Sequence, residues 1–358
     1  MQDSDSRATG SARSRHPIPS LLALSDNRRH WGFLVLAALS MGLPAFLGVW
    51  LDQFAASVIA SMGGLVILYT QPAPTARRLL ILVVCSFGFV ASFALGTLTS
   101  FNPYLSAATL ALTVFLVTGL CRFYRLPPPG SFFFILVACM SRTLPFDLTL
   151  VAERSGILLF GCMGACLLAL IYSLAQVMVA RTRSTARHPV EDHRIAAIML
   201  ESAVIAFFVG GGYLAALLLP LDNPYWVPIS TAAIMQGATF RAVWERQVHR
   251  IVGTFIGLGV AWGIFSLSPD PWLLATLITL LSFLIEALVT RNYGLAVIFI
   301  TPLTLIFAES AIATAAPDRL LLARLIDIVL GSCIGCVGGW VIHHQSLFRR
   351  LEQWMVDR

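Results

Sequence analysis

The stretch DNPYWVP at positions 222–228 and the run RIVGTFIG at 250–257, separated by a basic stretch, dominate what the sequence implies about the fold. In the first, an aromatic pair between two prolines opens an apolar segment. The whole chain has 358 residues, of which 58% are hydrophobic and only 12% charged, and its mean hydropathy is +0.82. Because a soluble domain carries about 25% charged residues, this composition predicts an all-α, polytopic membrane protein.

The hydrophobic pattern divides the chain into twelve apolar segments. A helix needs about 20 mostly apolar residues to cross a bilayer. With the N-terminus in the cytosol, twenty of the 24 basic residues, all arginine, fall in cytosolic loops, as the positive-inside rule expects. The predicted spans are Trp31–Trp50, Phe54–Thr70, Leu79–Leu98, Tyr104–Cys121, Ser131–Leu144, Gly156–Ala180, Ile195–Leu219, Tyr225–Phe240, Ile251–Leu267, Trp272–Thr290, Tyr293–Ala308 and Leu322–His343.

The spans repeat after about 170 residues. That offset aligns Arg154 with Arg324 and Gly161 with Gly331. Since each half holds six spans, both halves enter the membrane in the same sense, and a pathway between them is expected. The predicted organisation is a disordered cytosolic tail (1–30), a six-helix repeat (31–180), a cytosolic linker (181–194), a second six-helix repeat (195–345) and a cytosolic C-terminal tail (346–358).

Small residues at four-residue spacing mark the second half. An arginine is followed seven residues later by a glycine at Arg250 and Gly257, and Gly253 precedes that glycine by four positions. Gly331 and Gly335 have the same spacing. Such pairs let helix backbones approach closely, so we predict a helix-packing motif.

The stretch PYWVPIS at 224–230, the pattern Arg250-x-x-Gly253-Thr254-x-x-Gly257 and the later Arg324-x-x-Asp327-x-x-x-Gly331 resemble the fusaric-acid-resistance-like (FUSC) family. That family is related to the bacterial aromatic acid exporters and, more distantly, to plant aluminium-activated malate transporters. The resemblance covers 195–345 clearly and 30–180 more faintly. It implies a bacterial inner-membrane exporter of small organic or aromatic acids, often working with a periplasmic membrane-fusion protein.

Three acidic residues are candidates for proton coupling, because ionisable groups inside spans are costly and are functional candidates by default. They are Glu286, Glu201 and Asp327. Structural alternatives exist: Glu286 could pair with Arg291, and Asp327 could form an intrahelical ion pair with Arg324, three residues earlier.

Five residues are candidates for substrate binding. Arg154 and Arg324 are predicted at equivalent outer positions of the two halves, where two guanidiniums could hold a carboxylate bidentately. Arg142 lies near the outer end of the fifth span. Tyr225 and Trp226 begin a span, where aromatic residues usually anchor the membrane interface; stacking on an aromatic substrate is the alternative.

Other functional classes are disfavoured by residue usage. The absence of lysine excludes Schiff-base chemistry. Histidines and acidic residues do not cluster at the spacing of metal ligands. The sequence also lacks a stripe of basic residues interleaved with aromatic ones, which would suggest nucleic-acid binding. We therefore expect no enzyme, metal or cofactor.

Three functional hypotheses follow: a proton-coupled exporter of organic acids, a passive organic-anion channel, and a non-transporting scaffold of an efflux complex. A major-facilitator transporter fits less well, because the characteristic loop between its second and third spans is missing. The expected partners are a small organic anion, the lipid bilayer, a membrane-fusion protein and a second copy of the chain.

Overall fold

A computed structural model of the protein describes residues 24–180, 195–219, 221–237, 239–309 and 317–344. Within these ranges it contains twelve α-helices, three short 3-10 helices (Gly64–Tyr69, Ser141–Thr143 and Leu148–Leu150) and no strand. The α-helices are α1 (Trp31–Trp50), α2 (Phe54–Gly63), α3 (Thr75–Thr99), α4 (Pro103–Phe123), α5 (Phe132–Met140), α6 (Val151–Ala180), α7 (Ile195–Leu218), α8 (Trp226–Met235), α9 (Phe240–Ser266), α10 (Pro271–Leu288), α11 (Tyr293–Glu309) and α12 (Pro317–His343).

The all-α prediction is confirmed, and the helices fall into two length classes. In the described residues, eight helices are long and apolar enough to cross a membrane: α1, α3, α4, α6, α7, α9, α10 and α12. The other four, α2, α5, α8 and α11, are shorter apolar helices. Twelve complete crossings and the orientation of the termini therefore stay predictions. The predicted linker and most of both tails lie outside the described residues.

Helix α9 begins eleven residues before the predicted span at Ile251. The side chain of Thr239 caps its N-terminus by accepting a hydrogen bond from the backbone N–H of Ala242 at 3.2 Å. The basic stretch before the predicted span is therefore the first part of this helix. Hydropathy missed it because the stretch is polar, although its residues have good helix propensity. As a consequence, Arg246 and Arg250 are held on a helix rather than a loop.

The four short helices form the centre of the bundle. All ten residues of α8 are buried, as are residues 134–140 of α5. The long helices instead expose large apolar side chains on their outer faces, for example Phe87, Phe207 and Phe255. In a bilayer, irregular backbone is tolerated only where protein or a cavity surrounds it. The short helices satisfy this condition because the long ones enclose them.

Helix contacts in the second half (α7–α12) follow those in the first half (α1–α6). The pairs α1 with α2, α2 with α6 and α3 with α6 recur as α7 with α8, α8 with α12 and α9 with α12. Between the halves, α4 packs on α7 and α10 packs on α1, while α5 packs on α8 and α11 on α2. Moving each helix of α4 with α7 to its equivalent in the other half gives α10 with α1, and the same exchange turns α5 with α8 into α11 with α2. A parallel repeat would produce this pattern, and the repeat itself stays a prediction.

Glycines bring the inner and outer helices into backbone contact. Gly253 and Gly257 lie against α11, and Gly331 and Gly335 lie against α8. A Cβ atom at Gly257 would come within 2.7 Å of a carbonyl oxygen of α11, and one at Gly331 within 2.4 Å of a carbonyl oxygen of α8. These positions leave no room for a side chain, so the predicted packing motif lies at real close approaches.

We expect Gly257→Ala to lower the free energy of unfolding by about 1–3 kcal/mol, because the added methyl group would force α9 away from α11. Gly259 is the matched control: a Cβ there meets no atom within 4 Å. Gly259→Ala should therefore leave stability unchanged or raise it by up to about 1 kcal/mol through helix propensity. Thermal unfolding of the two purified variants in detergent checks this, and equal transition temperatures would contradict it.

Candidate functional site

A cavity of about 240 Å³ lies between the two halves of the protein. Its walls come from α8 to α12 of the second half and from α1, α5 and the 3-10 helix Gly64–Tyr69 of the first. Ligand cavities usually measure about 300–1,000 Å³, so this one suits a small molecule. Its wall is mainly apolar, but within the described ranges four arginines and one glutamate also line it: Arg29, Arg246, Arg250, Arg324 and Glu286.

Arg250 is buried in the cavity wall without a carboxylate partner among the described residues. Its side chain is 5% exposed. One Nη donates to the Tyr293 hydroxyl at 3.4 Å and the other to the Ser230 hydroxyl at 3.2 Å, while its Nε has no hydrogen-bond partner in the part of the chain that the structure describes. Burying a charge is costly unless it is paired. An anion in the cavity would provide the missing partner.

Arg324 is held against an aromatic ring at a deeper level of the same cavity. Its guanidinium carbon lies 3.5 Å from the ring centroid of Trp226, and one Nη donates to the Thr304 hydroxyl. This stacking is a cation–π contact, which is strongest over tryptophan. The planar guanidinium of Arg324 is therefore fixed by α8 and α11.

The aromatic pair at the start of α8 is buried inside the protein rather than exposed on its surface. Trp226 is 1% exposed and Tyr225 is 6% exposed. The interface-anchor interpretation is therefore wrong for both residues; sequence could not show that α8 is an inner helix. Trp226 lines the cavity, whereas Tyr225 does not and donates from its hydroxyl to Asn223 Oδ1 at 2.9 Å.

Arg246 adds a further cation to the cavity, one turn before Arg250 on α9. Its guanidinium carbon lies 5.1 Å from the ring centroid of Tyr293. Neither arginine was predicted as a binding residue. A sequence signal was available, because Arg246 and Arg250 continue the helical stripe of Gly253 and Gly257 at spacings of three and four residues. A stripe that packs on α11 must face the interior.

Two of the predicted coupling acids form ion pairs that sequence analysis missed. Glu286 lines the cavity and pairs with Arg29, which precedes α1, rather than with Arg291. Glu201 pairs with Arg122 at the end of α4. This second pair lines a separate cavity of about 490 Å³. Both partners are distant in sequence, so only the packing of the halves reveals them.

Asp327 is fully buried, and neither of its carboxylate oxygens has a hydrogen-bond partner among the described residues. The simple hydrogen-bonded ion pair with Arg324 therefore does not form, although the two residues are one turn apart. Asp327 lies beside the cavity, since its neighbours Arg324 and Ile328 line the wall. Of the three predicted coupling acids, Glu286 alone is part of that wall.

Arg142 and Arg154 lie outside the cavity. Arg142 donates from Nε to the Ser106 hydroxyl at 2.9 Å and from Nη2 to the Thr109 hydroxyl at 3.3 Å, and it also binds the Ala138 carbonyl. It thereby ties α5 to α4. Arg154 donates to the Pro145 carbonyl at 2.7 Å. The predicted clamp of Arg154 with Arg324 is therefore not assembled in this cavity.

Apolar long helices around buried short ones, with a charged cavity between the halves, define an integral, multi-pass membrane protein. Residues 193–338 match the family described as fusaric acid resistance protein-like. The predicted resemblance is thus confirmed for the second half.

Two curated relatives each match a little over a third of the chain. It is 36% identical over 138 residues to the uncharacterized membrane protein YvaC of Bacillus subtilis (strain 168), which covers 38% of this chain and 22% of that protein. It is 34% identical over 128 residues to the uncharacterized protein slr1298 of Synechocystis sp., which covers 35% of this chain and 17% of that protein. The match thus spans about a fifth of the length of these relatives. No solved structure matches significantly.

Arg142 and Arg250 should respond differently to neutralisation. Arg142→Gln removes several hydrogen bonds between α4 and α5, so we expect it to lower the free energy of unfolding by about 1–3 kcal/mol. Arg250→Gln removes a buried charge that has no ionic partner among the residues that the structure describes, and we expect little loss or a small gain. Thermal unfolding without any ligand tests this contrast. A larger loss for Arg250→Gln would show that Arg250 is mainly structural.

Proposed function

We propose that this protein is a secondary transporter that exports small organic acids, preferably aromatic carboxylates with a single ring, across the bacterial inner membrane. The observation that carries the proposal is Arg250, a buried cation without a carboxylate partner among the described residues, which faces a small cavity between two halves. The confirmed family domain supports the class of function. The cavity itself supports the class of substrate.

The cavity offers a complementary surface to an aromatic carboxylate. The guanidinium of Arg250 can donate two parallel hydrogen bonds to a carboxylate, which is a bidentate arrangement. Trp226 and Tyr293 supply aromatic surface, and Ile300 and Leu303 add apolar wall. A substrate with its charge at one end and a ring at the other would satisfy both parts of this wall.

The cavity extends from the predicted cytosolic side towards the middle of the bundle. It extends from residues near helix ends on the predicted cytosolic side, such as Thr290 and Tyr293, to Trp226 and Arg324 deeper in the bundle. A substrate that enters from the cytosol would therefore reach Arg250 before it reaches Arg324. Rocking of one half against the other would then expose it to the outer side. A periplasmic membrane-fusion protein and a second copy of the chain belong to this proposal as partners.

Glu286 is the residue that we propose for proton coupling. It shares the cavity with Arg250 and binds Arg29 of the other half. Its negative charge opposes a bound anion, and protonation would remove that charge and release Arg29. One group could thus link substrate binding, proton binding and contact between the halves.

Efflux from proteoliposomes tests the site. Benzoate is loaded inside, and its release is measured for the wild type, Arg250→Gln and Arg154→Gln. Loss of a charge-assisted hydrogen bond of about 1.5–3 kcal/mol should slow Arg250→Gln roughly 10- to 150-fold. Arg154→Gln is the matched control and should transport normally, because that arginine lies outside the cavity. Equal rates for both variants would place the substrate elsewhere.

Glu286→Gln tests the coupling. We expect the wild type to move benzoate against its concentration when a pH gradient is imposed, and the variant to allow downhill flux alone. A downhill flux whose rate changes neither with the pH gradient nor with the substitution would identify a passive channel. Failure of the wild type to move any carboxylate of an aromatic and aliphatic panel would favour the non-transporting scaffold.

A further inference from the structure

Among the described residues, two ion pairs connect the halves of the protein, and each joins a different pair of long helices. Arg29, just before α1, binds Glu286 near the end of α10. Arg122, near the end of α4, binds Glu201 in the second turn of α7. The helix pairs α1 with α10 and α4 with α7 are the two equivalent long-helix contacts between the halves.

Both pairs lie on the same side of the bundle. One lines the 240 Å³ cavity and the other the 490 Å³ cavity. The two cavities share a wall made by Pro128, Pro129, Gln236 and Arg246. The Gln236 amide closes this wall by donating to the Pro129 carbonyl at 3.2 Å. The ion pairs therefore flank one common partition.

The charges are sorted by half rather than by position in the repeat. Both arginines belong to the first half, and both glutamates belong to the second. Helix α7 of the second half is the predicted equivalent of α1. The first pair has its arginine near the start of α1, whereas the second pair has its glutamate near the start of α7. Each of the two contacts between the halves therefore joins an arginine to a glutamate. At equivalent helix positions, however, one half carries the arginine and the other carries the glutamate.

Additional contacts strengthen the first pair. The segment Leu24–His30 lies along the turn between α10 and α11. The Ser25 N–H donates to the Arg291 carbonyl at 2.9 Å, and the Thr290 hydroxyl donates to the Asn27 carbonyl at 2.9 Å. Part of the predicted N-terminal tail thus crosses to the other half next to the cavity. Arg29 ends this crossing segment.

We infer that these two ion pairs are latches that together hold the halves closed on this face. Arg29 and Arg122 position Glu286 and Glu201 in the closed state, and the halves separate when these ion pairs break. The inference rests on the proposed function only in requiring that the halves move relative to each other. Breaking one latch loosens the whole face, because both latches resist the same movement. The effect of Arg29 should consequently reach the second cavity, which Arg29 does not line.

A native thiol reports on this movement without any substrate. Cys121 lines the second cavity and is 6% exposed. The full-length protein is treated with a sulfonated maleimide, and modification of Cys121 is followed by mass spectrometry. We expect Arg29→Gln to speed this modification about 5- to 150-fold, the range of typical coupling between sites. The charge-reversed pair R29E/E286R should restore the wild-type rate.

Two further variants make the result decisive. The ion pair between Arg241 and Glu245 lies within α9 and does not connect the two halves. The charge reversal R241E/E245R should therefore leave the rate of Cys121 modification unchanged. Thr290→Val removes a contact of the crossing segment without changing charge, and we expect a smaller increase. This variant also serves if Arg29→Gln does not fold.

The inference is overturned if Arg122→Gln exposes Cys121 while Arg29→Gln and Thr290→Val leave its rate at the wild-type value, since the contacts would then act locally. It is equally overturned if charge reversal fails to restore the rate in a folded protein. The labelling needs no transport. A protein that moves no carboxylate would contradict the proposed function and would still report on the latches.

Discussion

The bilayer cannot hydrogen-bond to an exposed peptide group, and this constraint determines how the short helices can exist. Helices such as α8, with ten residues, are too short to cross a membrane and leave their ends at internal positions. They are stable here because eight long helices surround them and glycines allow backbone contact. The same arrangement leaves helix ends and polar side chains facing a space between the halves. The cavity is thus a consequence of how the short helices are enclosed.

Within that enclosure, electrostatics distinguishes the arginines. Arg142 is satisfied by hydroxyl and carbonyl groups of its own half and acts as a structural tie. Arg324 is satisfied in part by the face of an indole ring. Arg250 has two long hydrogen bonds to neutral hydroxyl groups, and its Nε finds no acceptor among the described residues. The ability of each arginine to bind a ligand therefore follows from what its neighbours leave unsatisfied.

Sequence predicted much of the fold and less of the site, for physical reasons. Hydropathy located every helix, because a span is a local property of about 20 residues. It misplaced the start of α9, where polar residues continue the helix. It also placed Trp226 at the interface, because local sequence cannot distinguish an inner helix from an outer one. The ion partners Arg29 and Arg122 were not predictable, since they meet their glutamates only when the two halves pack.

The sorting of charges between the halves has a consequence for how the molecule assembles. If two copies of the first half met through the same surfaces, arginine would face arginine at both contacts, and two copies of the second half would oppose glutamate with glutamate. Like charges brought together in this way penalise the wrong partner. The halves are therefore complementary rather than interchangeable. These two contacts therefore favour pairing between unlike halves over pairing between like halves.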